Sequence, residues 1–468
     1  MTEVGVSELV PSETASTAAG EASAHRSDPV KKDLRTETWL IERPWASQIV
    51  GPGAPNWFLL EKDARACPVK IGHRRTTWRV SLGNATVYAK TYEQTRFTEW
   101  CRRLAGVDPA RREWAASRRA AARGVPAIKP VAYGRVKGIG AKSAFLSEGE
   151  RSAASLADVW SGRAHDPDGR TAVSPVEKLR REDGKLIASV TGLLARAHEN
   201  GIAHRDGHPG NILVRGADGG NPEAVFVDMG ACSVSRRPVA RRRAVQALAQ
   251  LNHYFRLEAS QTQRLRFLRS YLAARPSLGM AIAGDGAAVR QWAEAVSKCT
   301  TRHAEQLARH RDRRLRVNGK YFATFRVGGG WTARVALQLE RRRIFRKADV
   351  SDRSRDEWVD ILGRMSIALR TSTLHECAKL SGKDRVLRNA PSGLRMVVVG
   401  AESLHARIVF TLRGSPHRKA FFRCHRRRHR DLPAELVLGF MEHRRLGMID
   451  ACVLICPEVA MSGNNVSQ

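Results

Sequence analysis

The stretch His204-Arg-Asp206-Gly-His208-Pro-Gly-Asn211-Ile-Leu-Val214, followed by Val225-Phe-Val-Asp228-Met-Gly230, decides how this chain is read. The apolar runs at 212–214 and 225–227 read as the arms of a β-hairpin around the turn from Arg215 to Pro222. A hairpin brings its ends together, so Asn211 and Asp228 are expected to face one point. Asp206 stands five residues before Asn211 as a proton acceptor. This is the pattern with which a phosphoryl-transfer enzyme holds Mg²⁺ against nucleotide phosphates while an Asp orients the acceptor hydroxyl. The competing readings are a buried polar hairpin without chemistry and a pseudoenzyme. Burying three polar residues on one hairpin without a ligand is costly.

The motif resembles the catalytic loop of protein-kinase-like phosphotransferases. Ser/Thr protein kinases usually carry Lys two residues after the Asp. Here that position is His208, in His-Pro-Gly-Asn, which is similar to small-molecule and sugar kinases. Together with the short Asp-Met-Gly segment and a very basic chain, it most resembles the lipopolysaccharide Kdo/heptose kinase family, over roughly residues 68–256. The resemblance implies an α+β, protein-kinase-like two-lobed fold, with ATP and Mg²⁺ as cofactors. The activity it implies is phosphorylation of a sugar hydroxyl, Kdo or heptose, of the lipopolysaccharide inner core. Asp206 would position that hydroxyl, and Asn211 and Asp228 would hold the metal. Lys90 would meet the ATP phosphates, held by Glu113 on the next helix. The linker at 145–149, with Glu148, would receive adenine. Taken alone, a strand Lys and a helix Glu are ordinary surface charges; their order before the catalytic loop singles them out. His204 is assigned to bracing the loop. His208 is assigned to phosphate or acceptor, or to loop packing. The chain departs from protein kinases at Gly72–Thr77, where one Gly and two Arg replace a glycine-rich loop. Amides and guanidiniums can grip phosphate there; a solvated turn is the other reading.

The chain has 468 residues, enough for two or three domains, and a formal net charge of +34, which points to anionic partners. Cationic segments fall at 235–243, 302–316, 341–347 and 413–430. The first follows Asp228, so Arg236, Arg237 and Arg241 are expected to line the acceptor side and draw an anionic glycolipid. An anionic leaflet would add about 1 kcal/mol per nearby cation. Solvated helix faces are the bland alternative. A kinase of a soluble aminoglycoside-like or aminoalcohol substrate is a second reading, which the basic flank disfavours. A nucleic-acid-binding pseudokinase is a third; it gains from the charge but lacks interleaved aromatics. Eight cysteines are scattered without a CxxC pair, which suits a reducing cytoplasm. No apolar run approaches the roughly 18 residues of a membrane span, and residues 1–8 do not resemble a secretory signal. The expected location is cytoplasmic, with any membrane contact peripheral on the inner face.

Residues 1–37 read as a disordered tail and 38–67 as a loop-rich lead-in. Residues 68–150 form a small β-rich lobe, 151–305 a helical lobe and 310–468 an additional C-terminal α+β region. In that region Thr324-Phe-Arg-Val327 echoes Thr77-Trp-Arg-Val80, with Leu337 opposite Lys90. Either this is a decayed repeat of the small lobe, or two unrelated hairpins share a pattern. His429-Arg430-Asp431 imitates the catalytic loop, but the fifth position is Leu436, so it reads as coincidence or at most a vestige.

Overall fold

The computed structural model describes residues 28–72, 75–93, 108–138, 142–150, 153–161, 183–216, 221–278, 284–338, 353–371, 376–380, 384–389 and 394–457. The tail before 28 and the cationic segment at 341–347 lie outside the described residues. The chain divides between Thr301 and Arg302 into two compact units. Among the described residues, no helix is long and apolar enough to cross a membrane.

The first unit opens with an antiparallel sheet of β1 (Val30–Asp33), β2 (Glu37–Ile41), β3 (Ala66–Ile71), β4 (Arg75–Leu82), β5 (Ala85–Tyr92), β6 (Pro130–Val136) and β7 (Ser143–Glu148). Their spatial order is β1-β2-β6-β7-β5-β4-β3. Two expectations change here. Val30–Asp33 is a strand rather than tail, and the lead-in belongs to the lobe. Trp39 and Ile41 alternate onto one face of β2, where they are buried with Trp57, Phe58 and Leu60. The short helix α1 (Ala46–Val50) adds Ile49 to that core. The opposite face is covered by α2 (Pro109–Ala122), whose Trp114 packs on Tyr133 at 6.3 Å. Asp108 caps α2 by accepting from Ala110 N, and it also accepts from Tyr133 Oη at 2.7 Å and Ser143 Oγ at 2.9 Å. The expected cap therefore also ties the helix to two strands.

The helical lobe follows with β8 (Ala154–Ser155), α3 (Leu156–Ser161), α4 (Asp183–Glu199), β9 (Ile202–His204), β10 (Ile212–Arg215), β11 (Glu223–Phe226), β12 (Cys232–Val234), α5 (Arg241–Phe255) and α6 (Gln261–Ala273). The long helix α7 (Gly286–Arg314) crosses the boundary between units. β10 and β11 are the expected hairpin, in the register Ile212↔Phe226. Gly201 ends α4 at φ 71°, and a Cβ there would lie 2.3 Å from the Ser235 carbonyl oxygen, so only glycine fits.

The second unit is a second seven-stranded antiparallel sheet: β13 (Phe322–Gly328), β14 (Trp331–Ala336), β15 (Glu376–Leu380), β16 (Asp384–Asn389), β17 (Leu394–Gly400), β18 (Gly439–Arg445) and β19 (Met448–Pro457). The helix α8 (Arg355–Thr371) buries Trp358 and Met365 on one face. α9 (Leu404–Arg413) and α10 (Pro416–His429) follow β17, and Phe421 of α10 packs on Phe440 of the other face at 5.3 Å. The spatial order is β13-β14-β18-β19-β17-β16-β15. Counted along the chain, both sheets run first, second, sixth, seventh, fifth, fourth, third.

The ladders correct the expected register. Lys90 and Tyr133 both pair with Phe145, and Val397 and Phe440 both pair with Leu454. Val397, not Leu337, thus stands where Lys90 stands. The hairpin β13–β14 matches β1–β2 rather than β4–β5. His429-Arg430-Asp431 is a helix end: His429 and Arg430 bind Asp312 at 2.8 and 2.9 Å, and Asp431 takes a left-handed φ of 59°.

Acid should loosen the first unit through His198. Burial, and then Arg275, push this imidazole down to about 3, and its Nδ1 accepts from Tyr271 Oη at 2.7 Å. A base that must stay neutral in the fold contributes stability above its unfolded value near 6.5 and loses it as pH falls toward 3. Denaturation midpoints are expected to fall across that window by up to about 1.4 kcal/mol per pH unit, and less steeply in His198→Gln. Equal slopes for the two proteins would show that His198 charges without cost.

Candidate active site

The catalytic loop is braced from beneath. His204 is buried at the end of β9, with its ring 5.4 Å from that of Phe226. Its Nε2 lies 3.0 Å from the Val227 carbonyl, and its Nδ1 accepts from Asp206 N at 3.2 Å. Those partners set Nε2 as the protonated nitrogen, and burial holds the ring below its ordinary pKa. His204 therefore braces, as expected. Asn211 Nδ2 donates to the Asp206 carbonyl at 2.8 Å, leaving the amide oxygen to act as a ligand. The Asn211 carbonyl accepts from Val227 N at 3.0 Å, which ties the loop to the residue before Asp228. The Asp206 side chain is 62% exposed, accessible to an acceptor. Sequence reading missed Gln250 on α5. Its Oε1 accepts from Gly207 N at 3.1 Å and its Nε2 donates to the Arg205 carbonyl at 2.8 Å, clasping the loop on both sides of Asp206. A lone Gln on an amphipathic helix carries no signal of that role.

The expected ion pair is formed. Lys90 Nζ donates to Glu113 Oε1 and also reaches Asp228 Oδ1 at 3.3 Å. Glu113 has no exposure, and Tyr92 Oη donates to its other oxygen at 2.9 Å. Burial pushes the Glu113 carboxyl up, against the pull of Lys90. Asp228 sits in the left-handed region at φ 56°, ψ 47°. Burial opposes its charge, but Lys90 and Arg75 outweigh burial and its pKa is lowered. Arg75 Nη1 reaches both Asp228 oxygens at 3.3 Å, which brings the arginine-bearing turn of the small lobe to the hairpin. His73 and Arg74 of that turn lie outside the described residues. Arg112, also missed, donates from Nε to the Gly230 carbonyl at 2.6 Å and locks α2 onto the Asp-Met-Gly turn. Burial pushes the nearby Cys232 thiol up to about 12, so it stays protonated.

Other expected residues are placed as follows. Glu148 ends β7, its N–H donating to the Lys129 carbonyl at 2.9 Å. His208 caps the turn Pro209–Asn211 by accepting from Gly210 N, and its Nε2 lies 3.9 Å from Asp206 Oδ2. Arg236, Arg237 and Arg241 follow the strand that leaves the Asp-Met-Gly turn. β12 runs antiparallel to β9, pairing Val234 with Ile202, and Ser235 N then donates to the Gly201 carbonyl. Arg241 stacks on Trp292 at 5.2 Å.

Among the described residues, no cluster of three His, Cys, Asp or Glu forms a self-sufficient metal site. Two oxygen donors, Asn211 and Asp228, fit Mg²⁺, which is usually held by few protein groups together with phosphates. Residues 66–271 match the lipopolysaccharide kinase (Kdo/WaaP) family. That is a family of kinases, and the match ends before the second unit begins. No curated protein matches the chain. Similar solved structures include WaaP in complex with acyl carrier protein, at 21% identity over 56% of this chain and 98% of that chain, TM-score 0.39. A BubR1 kinase domain matches at 12% identity over 59% and 88%, TM-score 0.30. The Mycobacterium tuberculosis PknI kinase domain matches at 17% over 50% and 96%, TM-score 0.27.

Gln250→Ala should lower turnover about tenfold, the scale of two lost hydrogen bonds on the loop. The KM for ATP and the melting temperature should change little, because Gln250 touches neither the Lys90 network nor the core. Wild-type turnover in steady-state assays would remove Gln250 from the site.

Proposed function

We propose that the chain is an ATP-dependent kinase that phosphorylates a sugar hydroxyl, of Kdo or heptose, in the inner core of lipopolysaccharide. The observation that carries this reading is the joined network of Lys90, Glu113 and Asp228, with Asn211 and Asp206 on the same braced loop. A pseudoenzyme has no use for a buried carboxylate held at the cost of desolvation beside a lysine. The family match supports the acceptor class.

In this mechanism Lys90, kept in place by Glu113, meets the α- and β-phosphates. Arg75 turns from Asp228 to the phosphates and takes the part of the missing glycine-rich loop. Asn211 and Asp228 would hold Mg²⁺, which when bound would supply charge neutralisation for the transferred group. Asp206 accepts the acceptor proton or orients its hydroxyl toward the γ-phosphorus. Glu148 and the backbone of the linker contact adenine. The anionic glycolipid enters from the open side of Asp206, where His208 and Arg205 are exposed. Work at the inner face of the cytoplasmic membrane follows from that substrate.

Incubation with ATP and Mg²⁺ against Kdo-lipid A, heptosylated core, an aminoglycoside and a protein should give phosphate transfer to the first two alone. Transfer to the aminoglycoside alone would move the assignment to a soluble substrate. Asp228→Asn and Asn211→Ala should each lower transfer by about a thousandfold or more, several kcal/mol of lost charge stabilisation, with thermal melts near wild type. Near-normal turnover of either variant at saturating Mg²⁺ would refute the metal assignment.

A further inference from the structure

The second unit contains a cavity of ≈ 1280 Å³ between the end of α7, the strands β13, β14 and β18, and one face of α10. Two of the four cationic segments of the sequence, 302–316 and 413–430, converge on it. Nine arginines and lysines line it against two carboxylates. Of those two, Asp312 is engaged by His429 and Arg430, and Glu442 accepts from Ser415 at 2.8 Å. Lys419, Arg423 and Arg426 are exposed and form no ion pair among the described residues. At its base Arg334 is buried and spends its donors on the Leu315 and Val317 carbonyls, Asn318 and Thr324. Burial, and then the charge of Arg418, hold that guanidinium below its ordinary pKa.

Comparison of α10 with α2 explains this face. Both helices have 14 residues and start with proline after a capping residue, Ser415 or Asp108. At one constant separation Phe421 matches Trp114, Arg430 matches Arg123 and Pro433 matches Pro126. Ala420 then stands for Glu113, as Val397 stands for Lys90, so the nucleotide-orienting pair is missing. Arg423 and Arg427 stand for Ala116 and Ala120, which are buried in the core shared with the helical lobe. Lys419 and Arg430 stand for Arg112 and Arg123, which hold helical-lobe carbonyls of Gly230, Asn200 and Ser235. In the first unit this face is therefore seated on the helical lobe. The described residues of the second unit contain no counterpart of α4 to α6, and two small apolar residues of the seat have become arginines.

We propose that the second unit is a duplicated small lobe whose vacated seat binds a molecule carrying at least two phosphate groups. Guanidiniums grip phosphate oxygens in pairs, and several converge here on one concave space. The volume exceeds the roughly 300–1,000 Å³ usual for small-ligand pockets, which suits an extended or multiply phosphorylated ligand. A merely solvated helix face would not enclose a buried arginine. An acidic protein surface fits a concavity less well than phosphates do. The proposal is independent of the kinase reading and uses none of its residues.

The test is calorimetric titration of the full chain with inorganic tripolyphosphate in EDTA, which removes the metal the kinase cleft would need. Binding should weaken at least about tenfold in Lys419→Glu/Arg423→Glu, with an unchanged melting temperature, and persist in Arg423→Lys. Pelleting with vesicles of bisphosphorylated lipid A in phosphatidylcholine, reversed by tripolyphosphate, would assign the phosphates to a lipid headgroup. Tripolyphosphate binding without such pelleting would assign them to a soluble ligand; both support the site. No binding by the wild type, an unchanged affinity in the double variant, or equal binding of poly-glutamate would overturn it.

Discussion

The carboxylate of Glu113 has no contact with solvent, and an isolated charge in that position would cost several kcal/mol. It is tolerable only while Lys90 and Tyr92 both point at it. That requirement fixes the distance from β5 to α2. It also delivers the Lys90 ammonium to Asp228, on the far lobe. Arg112 reinforces the same geometry from the next position on the helix. One buried charge thus sets the position of sheet, helix and hairpin at once.

Much of this was legible in sequence because the constraints were local. The His-Arg-Asp loop, the hairpin and its converging ends lie within 27 residues, from 204 to 230, and the structure pairs the two runs as a hairpin. Lys90 and Glu113 were found through their order relative to that loop, not through any local property. The first hairpin was not legible. Val30–Asp33 is largely exposed, and Trp39 and Ile41 owe their burial to pairing with β6, some ninety residues away in the chain. Composition reads such a segment as tail and loop.

Local pattern alone compares β13 and β14 with β4 and β5, whose Thr-aromatic-Arg-Val runs match. The comparison put Leu337 at the place of Lys90. The ladder order, which no local pattern carries, assigns that place to Val397. Arg236 and Arg237 follow Asp228 closely in sequence, while the antiparallel ribbon returns the chain toward Gly201. The second His-Arg-Asp, by contrast, was rightly set aside. Its residues close a helix and hold Asp312.

The contacts of Asp228 carry a consequence for the order in which ligands arrive. Both of its oxygens are engaged by Arg75, and one by Lys90 as well. A divalent ion arriving alone would have to displace Arg75 and Lys90 from this carboxylate, and would crowd four positive charges around it. A nucleotide arriving with the ion brings the phosphates that receive the evicted side chains, so the cleft exchanges one set of counterions for another. Metal and nucleotide affinities would then be linked, each raising the other by the same factor. On the proposed reading, Arg75 and Lys90 would serve the free protein as a placeholder for the ion, and would keep a bare metal from settling in a cleft without substrate.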